Sequence, residues 1–448
     1  MLENSWHKKE KPLFGLTGLG GGVGSNLVGG SGPSYWFATL DGAITDVFSD
    51  VVLDSSDNIY TAGRTNSIGT GQNDFLVSKY DTDGAIQWQT VSGTGGSDQD
   101  QGMSIDIDSG GEIVVTGRRF TSGAYSDAIF QLFDSGGSAS GGGAQYWVLS
   151  GSGTNQEYFT GSARNSSNET YLAGYTDATG SERLLIAKYD SSNDIDWQKT
   201  YGGSFESAKQ EGKTLALDSS DNMYVVGWTN SGPASNNDAV IVKFNSSGVI
   251  QWQRGIGKSG NDAAHGVCLD SSDNVYVVGF TESTGGHSIG LILKYNSSGT
   301  IQWNRTFDPG SDVYFYGVCV DSSDNVYVCG GVNDACIVKY NSSGTIQWQR
   351  KFSASGDQRG YSMQCDSEDN LIIVGETDAD ALVLKLPNDG SLTGTYGSYT
   401  YSTTTYTDST ATMTEAALSF SASTSSLTAS TVSNTTSTGT LTSSTTTL

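Results

Sequence analysis

The segment DSSDNxYVVG recurs seven times along this chain, and it constrains the fold more than any other feature. Its copies begin at Asp54, Asp108, Asn165, Asp218, Asp270, Asp321 and Asp366. Nine residues after each start stands a glycine: Gly63, Gly117, Gly174, Gly227, Gly279, Gly330 and Gly375. A second segment, DAxIVKYNSSGxIQWQR, follows after a loop of variable length and carries Trp88, Trp147, Trp197, Trp252, Trp303 and Trp348. A period of about fifty residues is the size of one four-stranded unit, and units of this kind bury their faces only by stacking.

Within each unit, runs such as NMYVVGW and AVIVKF are rich in Val, Ile, Tyr and Phe, as strands prefer. The joints DSSDN and NSSG are short and built from Ser, Asn, Asp and Gly, which suits hairpin turns and makes the sheet antiparallel. An antiparallel sheet with one wet face alternates apolar and polar residues. VYVVG and CIVKY do not alternate, so each sheet must be covered on both sides by its neighbours. Radial stacking of blades achieves that cover, and a two-sheet sandwich does not.

The ends of the array decide between an open stack and a closed ring. Trp36 precedes the first Asp54 by 18 residues, the spacing that also separates Trp252, Trp303 and Trp348 from the next repeat. At the far end the slot nine residues after Lys385 holds Gly394 instead of tryptophan. One tryptophan strand is surplus at the front and one is missing at the back. The strand around Trp36 is therefore expected to join the last unit and close the ring, whereas an open solenoid would need caps. The expected fold is all-β: a seven-bladed β-propeller over 34–394, with a leader at 1–33 and an extension at 395–448.

The DSSDNVYVVG…SSGTIQW pattern resembles the seven-bladed β-propeller repeat family of bacterial and phage surface proteins, and the likeness spans residues 34 to 394. The start, SWHKKEKPLFGLTGLGGG, resembles the leader of virion structural proteins in marine contractile-tailed phages. The first resemblance implies a fold, since propellers host many activities. The second implies a place in a virion, with Trp6, Lys8, Lys9, Lys11 and Phe14 docking the leader to other virion proteins. Aromatic residues dominate interface energetics, which suits Trp6 and Phe14 as anchors. A solvated leader without a partner is the plainer reading, because glycine-rich sequence buries little surface.

Composition removes several functions. With 23 Lys+Arg against 48 Asp+Glu the net charge is −25, which repels nucleic acid. No stretch approaches the ~20 apolar residues of a membrane helix, so membrane insertion is not expected. The odd count of five cysteines (Cys268, Cys319, Cys329, Cys336 and Cys365), without Cys-x-x-Cys pairs, reads as buried thiols in strands. Residues 395–448 hold 33 Ser or Thr among 54, and ALSFSASTSSLTAST alternates at period two, as an exposed strand does. Such a segment is suited to joining a neighbour's sheet edge.

Catalytic constellations are missing: the three histidines, His7, His265 and His287, form no regular set with a nucleophile or a metal ligand. One acidic regularity stands out nine or ten residues after each tryptophan, at Asp46, Asp98, Glu157, Glu206, Asp262, Asp312 and Asp357. Ring symmetry would set these acids at one mouth of the channel, where Ca²⁺ or Mg²⁺ could bind through oxygens. The competing reading is that each acid caps its own loop. No other cofactor is indicated. The recurring Lys79, Lys188, Lys243, Lys294, Lys339 and Lys385 are expected to pair with nearby acids, and the NSS triplets at Asn245, Asn296 and Asn341 to be turns.

The functional expectation is a non-catalytic virion structural protein, tail- or baseplate-associated or displayed, whose propeller contacts partners or a host surface glycan. The alternatives are a bacterial surface lectin or adhesin and, third, a glycan hydrolase using channel carboxylates.

Overall fold

A computed structural model of the chain describes residues 35–447 except 42–44, 68–72, 94–99, 123–124, 140–143, 151–155, 178–182, 203–204, 208–213, 231–235, 283–285, 332, 379, 411–412, 418–420, 425–427 and 438–441. The leader residues Trp6, Lys8, Lys9, Lys11 and Phe14, and the acid Asp98, lie outside the described residues. The described residues contain strands and turns and no helix.

The seven repeats fold as seven antiparallel blades. Their first strands are Asp46–Leu53, Asp100–Ile107, Glu157–Arg164, Phe205–Ser207 with Leu215–Leu217, Asp262–Leu269, Tyr314–Val320 and Gln358–Cys365. These strands pack against one another and line the channel. The DSSDN hairpins and the NSSG hairpins lie at one mouth of the ring, and the loops of variable length at the other.

The ring closes as expected. Strand Trp36–Asp41 pairs antiparallel with Asp380–Leu386 of blade 7, Trp36 opposite Lys385. The same tryptophan reaches blade 1, where its Nε1–H donates to the Thr82 carbonyl at 3.1 Å. Its indole covers Gly84, at a φ of +82°, where an added Cβ would come within 2.6 Å of the ring. Trp88, Trp252, Trp303 and Trp348 repeat the arrangement over Gly137, Gly299, Gly344 and Gly390 of the following blade. The paired Trp and Gly of the repeat are therefore one device, a ring from one blade lying on the bare hairpin of the next.

Each residue of DSSDN has a structural task. Asp218 Oδ1 accepts from the Ser220 and Asn222 backbone N–H groups at 3.0 and 2.9 Å. The Asn222 side chain also donates to both carboxylate oxygens, and Lys243 stands 3.0 Å away. Ser219 donates to Asp273 of the next blade, and Ser271 to Asp324, Ser322 to Asp369 and Ser367 to Asp57 in turn. Those second aspartates sit at positive φ, for example 57° at Asp273, where Asp and Asn are tolerated better than most residues. The expected lysine pairs are present: Lys79–Asp54, Lys243–Asp218, Lys294–Asp270, Lys339–Asp321 and Lys385–Asp366, with Lys188 on Glu169 where Asn165 replaces the first Asp. The NSS triplets are turns, with the Asn245, Asn296 and Asn341 side chains accepting backbone N–H groups.

The glycine nine residues on marks a bulge in the first strand. Opposite Gly63 the register shifts between Phe48 and Asp50, and a Cβ on Gly63 would lie 1.9 Å from the Val47 carbonyl oxygen. Gly117, Gly174, Gly279, Gly330 and Gly375 meet the same backbone approach. Blade interiors are apolar on both faces, in clusters such as Val240, Val242 and Phe244 with Tyr171 and Leu184. All five cysteines are free, and Cys319, Cys329 and Cys336 are buried.

The Ser/Thr extension finds its sheet edge within its own chain rather than on a neighbour. It runs once around the ring against the order of the blades. Tyr399–Thr403 pairs with blade 6, Thr407–Ser409 with blade 5, Thr414–Ala417 with blade 4 and Ser421–Thr424 with blade 3. Thr428–Ser437 pairs with blade 2 and then blade 1, and Thr442–Thr447 with Trp36–Asp41 of blade 7. Alternation with β-branched Thr suits such a strand, which forms a belt that covers the outer strand of each blade and becomes the new sheet edge itself.

Candidate functional site: the variable-loop mouth

The acids expected to form a ring do not occupy equivalent positions. Counting back from the bulge glycine, the sevenfold site is held by Asp46, Asp100, Glu157, Phe205, Asp262, Val313 and Gln358. Counting from tryptophan drifts because the connections between blades differ in length. Asp312 and Asp357 lie outside the strands, and Asp357 pairs with Arg359 at 2.8 Å. Glu206 stands in strand Phe205–Ser207. Asp46 accepts from the Ser67 hydroxyl, Glu157 from Thr176, Asp262 from the Lys258 backbone N–H and Asp312 from that of Ser288. Among the described residues, no group of three or more His, Cys, Asp or Glu is placed to hold a metal ion.

What the mouth does gather is aromatic and cationic. The residue after each bulge glycine is Arg64, Arg118, Tyr175, Trp228, Phe280, Gly331 or Glu376. This position varies most within an otherwise repeated strand, and it lies beside the channel-lining first strand. Phe280 meets Tyr314 edge-on at 4.8 Å, and His265 stacks on Tyr316 at 5.0 Å and 11°. Tyr316 touches Tyr361 at 5.3 Å, and the Tyr361 hydroxyl donates to Glu376 at 2.6 Å. Glu376 also receives Arg359 at 2.6 Å. On the other side Tyr158 stacks on Tyr175 at 4.8 Å, with the Arg118 guanidinium 5.9 Å from the Tyr158 ring.

Burial outweighs the neighbouring interactions that oppose it in setting the electrostatics of these groups. His265 is pulled down to about 4 by burial, with its Nδ1 at 3.2 Å from the Phe315 carbonyl, so it is neutral near pH 7. Asp262 is pushed up to about 6 by burial, and the nearby Asp238 carboxylate adds to the rise. Arg118 is brought down to about 10, again by burial, with Arg64 acting in the same direction. Phe280, Tyr314 and the neutral His265 are half-buried, while Tyr158, Tyr175, Tyr316 and Tyr361 are buried behind them, so the apolar surface at this mouth is a small aromatic patch. Sequence reasoning passed over these residues because it searched for repeated positions, and the signal was the one strand position where the repeat fails.

The opposite mouth holds a cavity of about 420 Å³ lined by Ala216, Val267, Val318, Met363 and the thiols of Cys268, Cys319 and Cys365. Its charged members are engaged internally, Arg164 with Asp108 and Glu112 at 3.3 and 3.1 Å.

No family model matches the sequence, and no curated protein matches it either. Among solved structures the chain is similar to the WD40 β-propeller domain of Doa1, at 14% identity and a TM-score of 0.49 over 79% of this chain and 97% of that one. It is also similar to a polysaccharide lyase, an ulvan lyase of family PL25, at 10% identity and a TM-score of 0.46 over 78% and 95%. The Dos1 propeller follows at 9% identity and 0.43 over 75% and 77%.

Proposed function

We propose that this chain is a non-catalytic structural protein of a phage virion, tail- or baseplate-associated or displayed on the particle, whose variable-loop mouth touches a host surface glycan. The observation that carries the reading is the half-buried pair Phe280 and Tyr314, held from beneath by the buried Tyr316 and Tyr361, since sugar rings present C–H faces that pack on such aromatic surfaces. The leader residues Trp6, Lys8, Lys9, Lys11 and Phe14 serve as the particle anchor. The belt leaves its outward strand edge for contact with neighbouring virion proteins. Two experiments test the reading. Purified virion subassemblies should capture the full chain and not a chain lacking 1–33; capture of neither removes the virion assignment. A glycan array probed with the parent and with Tyr314→Ala should give signals that the variant loses, and an array that stays blank refutes the glycan contact.

A further inference from the structure

Among the described residues five arginines face a carboxylate, and Arg350 is held by the Gly390 and Gln349 carbonyls at 2.6 and 2.8 Å. Arg119 faces Asp127 at 3.2 Å, Arg254 faces Glu415 at 2.9 Å, and Arg164, Arg305 and Arg359 likewise lie against carboxylates. Arg64 and Arg118 occupy the same repeat position on adjacent blades and feel each other's charge. Among the described residues neither lies within ion-pair distance of a carboxylate. Arg118 gives its Nε–H and an Nη2–H to one neutral acceptor, Gln101 Oε1, at 3.1 and 2.8 Å, and its other donors meet no acceptor among the described residues. Its guanidinium lies 4.6 Å over the Phe120 ring, so its plane is held by packing. In a chain of net charge −25, two like charges side by side, with no acid on either among the described residues, are an arrangement that folding alone does not favour.

We propose that Arg64 and Arg118 form an anion subsite that takes the carboxylate or sulfate group of an acidic sugar residue, with the buried Tyr158–Tyr175 stack as the support beneath Arg118. The inference rests on the glycan reading above and names its ligand class. Guanidinium groups recognise planar carboxylates and sulfate-like oxyanions by paired N–H donors, and they do so best where water is partly excluded. Bringing an anion to the pair ends their mutual repulsion and fills Arg118's spare donors. The excess negative charge of the chain disfavours long polyanions at the same mouth, so short acidic oligosaccharides fit better than densely charged polymers.

The test is calorimetric titration of the full chain with three probes: a hyaluronan hexasaccharide (carboxylate only), a sulfated carrageenan tetrasaccharide (sulfate only) and a neutral dextran oligosaccharide. The expected result is binding of at least one acidic probe, weakened tenfold or more in Arg64→Gln and in Arg118→Gln and weakened by added salt. Melting temperature in sodium sulfate against sodium chloride at equal ionic strength gives a second readout. Sulfate should protect the parent more than chloride does, and this difference should vanish in the double variant. Acidic probes binding both single variants as tightly as the parent overturn the subsite. Neutral dextran binding as tightly as the acidic probes also overturns it, while the glycan reading stands. Sulfate protection without any saccharide binding overturns the sugar ligand and the glycan reading together.

Discussion

The two mouths of the ring treat charge in opposite ways. At the hairpin mouth burial tends to raise the carboxyls of Asp54, Asp218, Asp270 and Asp321, yet hydrogen bonds from asparagine side chains and backbone N–H groups overcome it and hold them below the usual range. At the variable-loop mouth burial outweighs the interactions that oppose it, so Asp262 rises to about 6 and Arg118 falls to about 10. One mouth repeats itself, pairs its ions and ties blade to blade. The other varies from blade to blade, sharing a residue after the bulge glycine only at Arg64 and Arg118, and holds groups such as Asp262 against their preferred ionisation, which is a mark of functional sites more than of structural ones. Stability is invested where the repeat is strict, and recognition chemistry collects where it lapses.

The largest way to break this contrast is at the seam. Trp36→Ala removes a fully buried indole that joins blade 7 to blade 1, and should cost about 3–5 kcal/mol by urea denaturation. Next comes Asp218→Ala, which strips a turn of its acceptor and strands the Lys243 ammonium, expected to cost roughly 2–4 kcal/mol. Asp218→Asn should lose less, because blade 3 already uses Asn165 at this position, its Oδ1 accepting from the equivalent backbone N–H groups of Ser167 and Glu169.

At the other mouth the pH dependence runs the opposite way. An acid whose folded pKa is raised contributes stability below its unfolded value, and that contribution is lost as pH climbs to the folded one. Asp262 therefore costs stability as pH rises from about 4 to about 6. Asp262→Asn should flatten that part of the melting-temperature profile and leave the variant no less stable than the parent at pH 7. A profile that stays as steep in the variant refutes the assignment. The smallest effect is expected at Arg118. Replacing it by Gln removes a buried charge with no acid partner among the described residues, so stability should change by less than about 0.5 kcal/mol or rise slightly.

Much of this was legible in the sequence because a repeat reports on itself. DSSDN, the bulge glycine and the strand tryptophan recur since each blade solves the same problem, and the surplus Trp36 with Gly394 in the last tryptophan slot gave away the closure. The belt was half legible: period-two alternation revealed strands in 395–448, but which edge they join depends on contacts across the whole ring. The ring of acids was misplaced because the connections from the tryptophan strand to the next blade differ in length, so Asp100 rather than Asp98 aligns with Asp46. The arginine and aromatic rim was present in the letters after each glycine, hidden because it does not repeat.

Urea denaturation of Asp218→Ala and Arg118→Gln, run side by side at pH 7, sets the two mouths against each other in one experiment. The expected result is a clear loss of stability for Asp218→Ala and none for Arg118→Gln. If Arg118→Gln unfolds as readily as Asp218→Ala, the variable-loop mouth is holding the ring together too, and the division between a structural mouth and a recognition mouth is wrong.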